Sequence, residues 1–341
     1  MSVQIAPLAE TLPAFLNAHP YSSVAVLVDA NTRRHCYPSV KPLLPRHTLI
    51  TLPAGEEHKH LASCEAVWQA LTRANADRHS LLLNLGGGVV GDLGGFCAAT
   101  YKRGIDFVQL PTTLLAQVDA SVGGKLGIDF HGFKNHIGVF KLPQAVLIDP
   151  AFLQTLPERE LRSGFAEVVK HCLIADAARW HDIRRRELHE QNWAELVAHS
   201  VAIKENVVGQ DPTEQGLRKI LNFGHTLGHA IETHFLSSPK KRLLHGEAIA
   251  AGMLAEAWLS FSRRLIDERL LAQIEEYLFA IYGRVALTDA DVEPILALTR
   301  QDKKNRGGQV RMALLDGPGS CTFDLAVTPG QMRKALDYYR A

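Results

Sequence analysis

Short β-rich runs alternate with stretches of helical periodicity through the first 150 residues, and no other feature constrains the fold of this chain as tightly. The runs are VAVLVDA (24–30), TLITLP (48–53), SLLLNL (80–85), DFVQLP (106–111) and QAVLID (144–149), each bounded by Gly, Pro, Asn or Asp. Nearly continuous apolar runs of this length suit strands buried on both faces. Between them, LASCEAVWQALTRANA and VVGDLGGFCAATY space their apolar residues as helices do. Such alternation implies a mainly parallel sheet with helices on its faces.

From Glu158 onward the texture is helical: ERELRSGFAEVVKHCLIAD, WAELVAHSVAIKENVVGQ, TEQGLRKILNFGHTLGHAIETHF, GEAIAAGMLAEAWLSFSRRL and DERLLAQIEEYLFAIY. The sequence therefore predicts an α/β domain over residues 1–157 and a helical domain over residues 158–341. A chain of 341 residues can bury a core in each.

Charge excludes some partners. The formal net charge is +1, so no electrostatic case exists for nucleic acid, and an anionic substrate must meet a local cluster of cations. Five scattered cysteines without CxxC spacing argue against a disulfide framework or a cysteine zinc site, and for a reducing compartment. No apolar run reaches membrane-spanning length and MSVQIAPLAETLPAF lacks the layout of a signal peptide, so a cytoplasmic protein is expected.

Four stretches carry candidate chemistry. LLLNLGGGVVGDLGG runs a strand through three glycines into a helix, and Gly86, Gly88 and Gly91 fit GxGxxG. Bare amides at such a helix start suit phosphate or a dinucleotide, although a tight turn needs glycine just as well. QVDASVGGKLGIDFHGFKNHIG gathers Asp119, Lys125, Lys134 and Asn135 around a Gly-Gly pair, either as an anion site or as a glycine-punctuated β-hairpin. In SGFAEVVKH, Glu167 and Lys170 share a helix face, which is either a plain ion pair or part of a lined site. LNFGHTLGHAIE places His225 and His229 one turn apart with Glu232 three residues on, and LLHGEAIAAGM adds His245 and Glu247. Three histidines at two helix starts favour a metal without saying which of them bind it.

Together these stretches resemble the 3-dehydroquinate synthases, the shikimate-pathway members of the sugar phosphate cyclases. The resemblance covers roughly residues 24 to 320 and rests on GEEHK, GGGVVGD, YKRG, PTTLLAQVDASVGGK, KNHIG, FLQTLP, AEVVK, EQGLRKILNFGHTLGHAIE, LHGEAIAAGM and DKK. It implies a Rossmann-like NAD-binding domain, a helical all-α metal-binding domain and an active site in the cleft between them. Glu167, His225 and His245 would hold a divalent metal, zinc or cobalt, leaving His229 to handle protons. NAD would meet Asp29, Asn31, Glu56 and Lys59 at its adenosine end, and Gly87, Gly88, Val89 and Asp92 at its pyrophosphate. Thr112, Thr113, Lys134 and the run from Phe152 to Thr155 would complete that site.

The implied substrate is 3-deoxy-D-arabino-heptulosonate 7-phosphate. Arg218 and Lys204 would bind its carboxylate; Lys125, Asn135 and one of Lys303 and Lys304 its phosphate. Asp119, Lys170 and Asn222 would contact ring hydroxyls, and Glu214 would be a second acid/base. Arg103 would reach the neighbouring site of a homodimer. The implied reaction oxidises C5, eliminates phosphate, reduces the ketone, opens the ring and closes a carbocycle by aldol addition. One departure stands out: Phe133 occupies the place before Lys-Asn where the family usually has glycine. Cyclases acting on aminated or valiolone-type substrates, metal-dependent polyol dehydrogenases and a non-catalytic NAD-binding protein are the competing readings. DASVGGK, KNHIG and LRKILNFGH argue against the dehydrogenases, and filled catalytic positions against the last.

Overall fold

A computed structural model describes residues 2–131, 133–236, 241–299 and 309–341. The chain divides into two compact units, residues 1–161 with 193–201, and residues 162–192 with 202–341. The predicted boundary at 157/158 coincides with the start of a helix, and the change of unit falls four residues further on.

In the first unit, six strands form one parallel sheet: β1 (Ser2–Ile5), β2 (Val24–Asp29), β3 (Thr48–Leu52), β4 (Leu81–Gly86), β5 (Asp106–Pro111) and β8 (Ala145–Ile148), in the order β1-β8-β5-β4-β2-β3. Side-chain alternation sorts the central strands between two cores. Ala25, Leu27 and Leu82 pack on one face with α4 (Leu61–Arg73) and α5 (Gly88–Thr100). Val24, Val26, Val28, Leu81, Leu83 and Leu85 pack on the other with α1 (Leu8–Ala18) and α3 (Tyr37–Val40). Each buried valine or leucine among them stabilises the fold by about 1.5–3 kcal/mol, and only a sheet covered on both faces buries them all. A short α2 (Ala30–His35) follows β2 directly. The GGK-to-KNHIG stretch is an antiparallel hairpin of β6 (Lys125–Phe130) and β7 (Phe133–Phe140).

The five predicted strands are all present. The sequence reading missed β1, which is only four residues long.

Helices dominate the second unit, which takes most of α6 (Glu158–Ala175), then α7 (Ala177–Ile183) and the latter part of α8 (Trp193–Gln210). It continues with α9 (His225–Leu236), α10 (His245–Ser262), α11 (Glu268–Tyr282), α12 (Asp289–Thr299) and α13 (Pro329–Arg340). It also carries one antiparallel hairpin, β9 (Val310–Gly317) with β10 (Ser320–Val327), beyond the expected all-helical content. The stretch TEQGLRKILNFGHTLGHAIETHF, read as one helical run, is broken. A 3-10 turn covers Leu217–Asn222 and α9 begins only after Gly224, whose left-handed φ of 79° interrupts the helix. No helix among the described residues is long and apolar enough to cross a membrane.

Candidate active site

In the first unit, sheet register decides which loops meet. Asp29 on β2 pairs with Leu52 on β3, Leu27 with Asn84 on β4, and Gly86 with Pro111 on β5. The ends of β2, β3, β4 and β5 therefore share one row at the carboxyl edge. The chain leaves β2 towards β3 on one side and returns to β4 on the other, so this row contains the topological switch point where open α/β sheets bind ligands. Asp29, Asn31, Gly87, Gly88, Val89, Thr112 and Thr113 all follow directly from these ends. Phe152 and Thr155 lie on the 3-10 turn after β8.

The loop after β4 is short because Thr112 N–H donates to the Gly86 carbonyl at 3.0 Å, and α5 starts at Gly88. Its first amides point out at the edge as an anion cradle. Asp29 has a structural duty as well: its Oδ1 accepts the Thr32 N–H at 2.7 Å and caps α2.

Lys59 organises the polar half of this edge. Its buried Nζ donates to Asp92 Oδ2 and to Asn135 Oδ1, both at 2.6 Å. Burial opposes that charge, but Asp92 and Glu56 outweigh it and hold the ammonium above its ordinary range. Lys134 pairs with Glu56 at 3.4 Å. Asn135 adopts a left-handed φ of 50° and its N–H donates to Asp129 Oδ1 at 2.8 Å, within a bulge where Ile128 faces Ile137 but Phe130 faces Phe133. The bulge turns KNH out of the ladder. Phe133 pairs with Phe130 beyond the bulge, and the left-handed turn of the motif falls on Asn135. Lys125 at the start of β6 is exposed, as is Arg103, which has a left-handed φ of 70° on the turn Tyr101–Arg103. Asp119 is half-buried on the turn Ala116–Ala120.

The second unit carries the candidate metal centre, built where α6, α9 and α10 approach closely. A Cβ on Gly246 would lie 2.0 Å from the Ser163 carbonyl oxygen, and one on Gly252 2.1 Å from that of Gly224. Only glycine permits these two backbone contacts. They bring together Glu167 on α6, His225 opening α9 and His245 opening α10.

Glu167 is fully buried, and its Oε1 lies 3.4 Å from both His225 Nε2 and His245 Nε2. That oxygen accepts no hydrogen bond. A buried acceptor without a donor costs about 1–3 kcal/mol unless something else satisfies it. Two ligands about 2.1 Å from one ion at a tetrahedral angle stand about 3.4 Å apart, so these atoms fit zinc-like coordination.

The outer contacts fit it too. His225 Nδ1 lies 3.0 Å from the Phe223 carbonyl oxygen and His245 Nδ1 lies 3.3 Å from Glu232 Oε2. Each contact places the ring proton on Nδ1 and aims the Nε2 lone pair inward. Burial opposes ionisation of Glu167, but Lys170, whose Nζ donates to Oε2, and His225 hold its carboxyl well below the usual range. Burial likewise opposes charge on His245, yet Glu232 and Glu167 raise it to about 10. The centre attracts a cation, and proton and metal compete for the same nitrogen.

His229, exposed, sets its ring 5.0 Å from that of His225 and 5.8 Å from that of His245. Ligand atoms of these three histidines all lie within 4.8 Å of one another.

Ahead of α9, Asp211 folds the loop that carries Glu214 and leads to Arg218 and Asn222. Its carboxylate accepts the N–H groups of Gln215 at 2.9 Å, Gly216 at 2.7 Å and Arg218 at 3.1 Å. Glu214, at a left-handed φ of 61°, accepts Asn222 Nδ2 at 2.7 Å. Arg218 and Lys204 are both buried, and Arg218 donates Nη1–H to the Pro212 carbonyl at 2.6 Å. Lys303 and Lys304 lie outside the described residues. Sequence reasoning assigned no role to Glu232, Asp129 or Asp211. Of these, only Glu232 had a visible signal, one helical turn after His229.

Family models described as the 3-dehydroquinate synthase N-terminal and C-terminal regions match residues 49–163 and 164–305. The chain belongs to the 3-dehydroquinate synthase family. A 3-dehydroquinate synthase of Parabacteroides distasonis is 40% identical over 98% of this chain and 96% of its own. That of Halorhodospira halophila is 46% identical over 84% and 82%. A 2-epi-5-epi-valiolone synthase from Streptomyces hygroscopicus subsp. jinggangensis, solved with NAD+ and Zn2+ bound, superposes with a TM-score of 0.87 at 27% identity, covering 99% of this chain and 96% of that one. Family membership orders the competing readings: the sugar phosphate cyclases stand ahead of the polyol dehydrogenases.

Proposed function

We propose that this chain converts 3-deoxy-D-arabino-heptulosonate 7-phosphate into 3-dehydroquinate and phosphate, using NAD catalytically and one divalent cation, zinc or cobalt. The observation that carries the reading is the convergence of Glu167 Oε1 with two imidazole Nε2 atoms at 3.4 Å, in a chain of this family. When bound, the nicotinamide supplies reversible oxidation at one carbinol carbon and the cation supplies Lewis acidity at its hydroxyl.

The protein's own groups do the rest. Glu167, His225 and His245 hold the cation, and Lys170 keeps Glu167 anionic. His229, exposed beside them, carries protons to and from solvent. Arg218, whose planar fork suits a carboxylate, and Lys204 bind the substrate's acid end. Asn222 and Asp119 orient hydroxyls, with Glu214 as a second proton carrier held by Asn222. Lys125 and Asn135, with Lys303 or Lys304, hold the phosphate until it departs. The carboxyl edge of the sheet, from Asp29 and Asn31 through Gly87, Gly88, Val89 and Asp92 to Thr112, Thr113, Phe152 and Thr155, seats NAD. Glu56, Lys59 and Lys134 close its polar side. Positioning and preorganised charge supply most of the catalysis.

We place Arg103 in the neighbouring site of a homodimer, and the chain in the cytoplasm, where its five free cysteines stay reduced. The likeness to a valiolone synthase favours one alternative, a cyclase acting on a substrate without a carboxylate. Supplying the heptulosonate phosphate and a heptulose phosphate lacking the carboxylate in parallel separates the two. The proposal expects phosphate release from the first, reduced at least 100-fold by Arg218→Met, about 3 kcal/mol. Turnover of the second substrate alone would refute it.

A further inference from the structure

Glu256 is an acidic residue on the buried face of α10 that also carries Ile249, Gly252 and Met253, and it is 0% exposed. Burying a carboxylate costs several kcal/mol unless its acceptors are satisfied, so packing alone does not account for it. Its partners are specific. Oε2 accepts the Gly224 N–H at 2.7 Å and Oε1 accepts the Leu227 N–H at 3.0 Å. These two amides flank His225 at the positive end of α9, where a carboxylate is favoured.

The turn so held is the one that aims the imidazole. His225 Nδ1 meets the Phe223 carbonyl, one residue before Gly224, and Gly224 has a left-handed φ of 79°. Gly252 lies one helical turn before Glu256 on the same face of α10, and it permits the backbone contact with Gly224. The glycine closes the two helices, and the carboxylate fixes the rotation of the turn between them.

We propose that Glu256 is a positioning residue for the cation site: by holding the Gly224 and Leu227 amides it sets the direction of His225 Nε2. The inference rests on the reading of His225 as a metal ligand. The two amides that Glu256 holds belong to the turn that carries His225, so the expected consequence lies in metal affinity and coordination geometry.

The test uses the full chain without NAD or substrate. Zinc affinity is measured by competition with a chromogenic chelator, Co(II) absorption reports geometry, and thermal unfolding of the metal-free protein reports stability. Glu256→Leu leaves both amides unsatisfied and is expected to weaken zinc about 10- to 100-fold, with altered cobalt bands. Glu256→Gln keeps one acceptor oxygen and should fall between it and the native chain. Leu254→Ala is the control, since Leu254 on α10 packs beside Leu278 and Tyr282 of α11 rather than at the start of α9. It should lower thermal stability and leave zinc affinity unchanged.

Native affinity and spectrum in Glu256→Leu would overturn the proposal. So would a loss of affinity in Leu254→Ala proportional to its loss of stability. If the native chain itself takes up neither zinc nor cobalt, the reading of the metal centre fails, and the inference falls with it.

Discussion

At the scale of single residues, Glu167 bears the most. One of its oxygens is paired with Lys170, and the other faces two imidazole nitrogens with no donor between them. Glu167→Gln removes the charge that both Lys170 and the cation need. Zinc retention in dialysed protein should fall more than about 100-fold, beyond what loss of an outer contact costs, and thermal stability should fall with it because Lys170 stays buried without its partner. Lys59 presents the same logic in the other unit: Lys59→Met leaves Asp92 and Asn135 unpartnered by it. Calorimetric titration should show NAD affinity reduced at least tenfold, about 1.4 kcal/mol.

Much of this was legible in the sequence, because Glu167, His225 and His245 stand in motifs whose residue types suit a metal. The spacing of three histidines could not say which two face the carboxylate. That follows from the Phe223 carbonyl, which fixes the His225 ring locally, and from Glu232, which reaches His245 only when α9 and α10 pack.

At the scale of elements, the helical unit depends on close backbone approach. Gly252→Ala would put a methyl carbon 2.1 Å from the Gly224 carbonyl oxygen, which cannot yield as a side chain can. Separation of α9 from α10 should cost about 3 kcal/mol in denaturant unfolding and release bound zinc at concentrations that leave the native chain loaded.

The link from α9 to α12 makes a pH-dependent contribution. Asp291 accepts Thr288 N–H at 2.7 Å and Oγ1–H at 2.6 Å, and pairs with His234 Nε2 at 2.7 Å. Burial opposes its charge, but the Thr288 and His234 bonds prevail and lower its carboxyl from 3.8 to about 2. A folded value below the unfolded one stabilises the protein fully above about pH 4, and the effect is lost as pH falls through 2. Asp291→Asn should therefore lower the melting temperature at pH 7, with the gap to the native chain narrowing between pH 4 and pH 2.

Elements were read from the sequence unevenly. Buried parallel strands announce themselves as apolar runs, so all five central ones were found. The stretch from Thr213 to Phe235 has helical periodicity, but Gly224 and the loop pinned by Asp211 break it. The hairpin partner of β9 went unread because β10 is half-exposed and kinked near Asp324, where φ is 60°.

At the scale of the whole molecule, the account gives the cofactor to one unit and the cation to the other. It also gives Arg103 to the neighbouring chain. If that last assignment holds, Arg103→Ala and Glu167→Gln homodimers are each inactive, while mixed dimers carry one site free of both substitutions. Refolding the two variants together should restore up to about one quarter of native turnover, the share of intact sites in a random mixture. No recovery in verified mixed dimers would place Arg103 in its own chain's site.

The most direct measurement supplies the purified protein with the heptulosonate phosphate and substoichiometric NAD, and follows phosphate, 3-dehydroquinate and NADH together, with and without a metal chelator. The account predicts equal release of phosphate and carbocycle over many turnovers per NAD, no accumulation of NADH, and loss of both products on chelation with recovery on adding zinc or cobalt. NADH accumulating in step with substrate consumed, or product formation indifferent to complete metal removal, would contradict it.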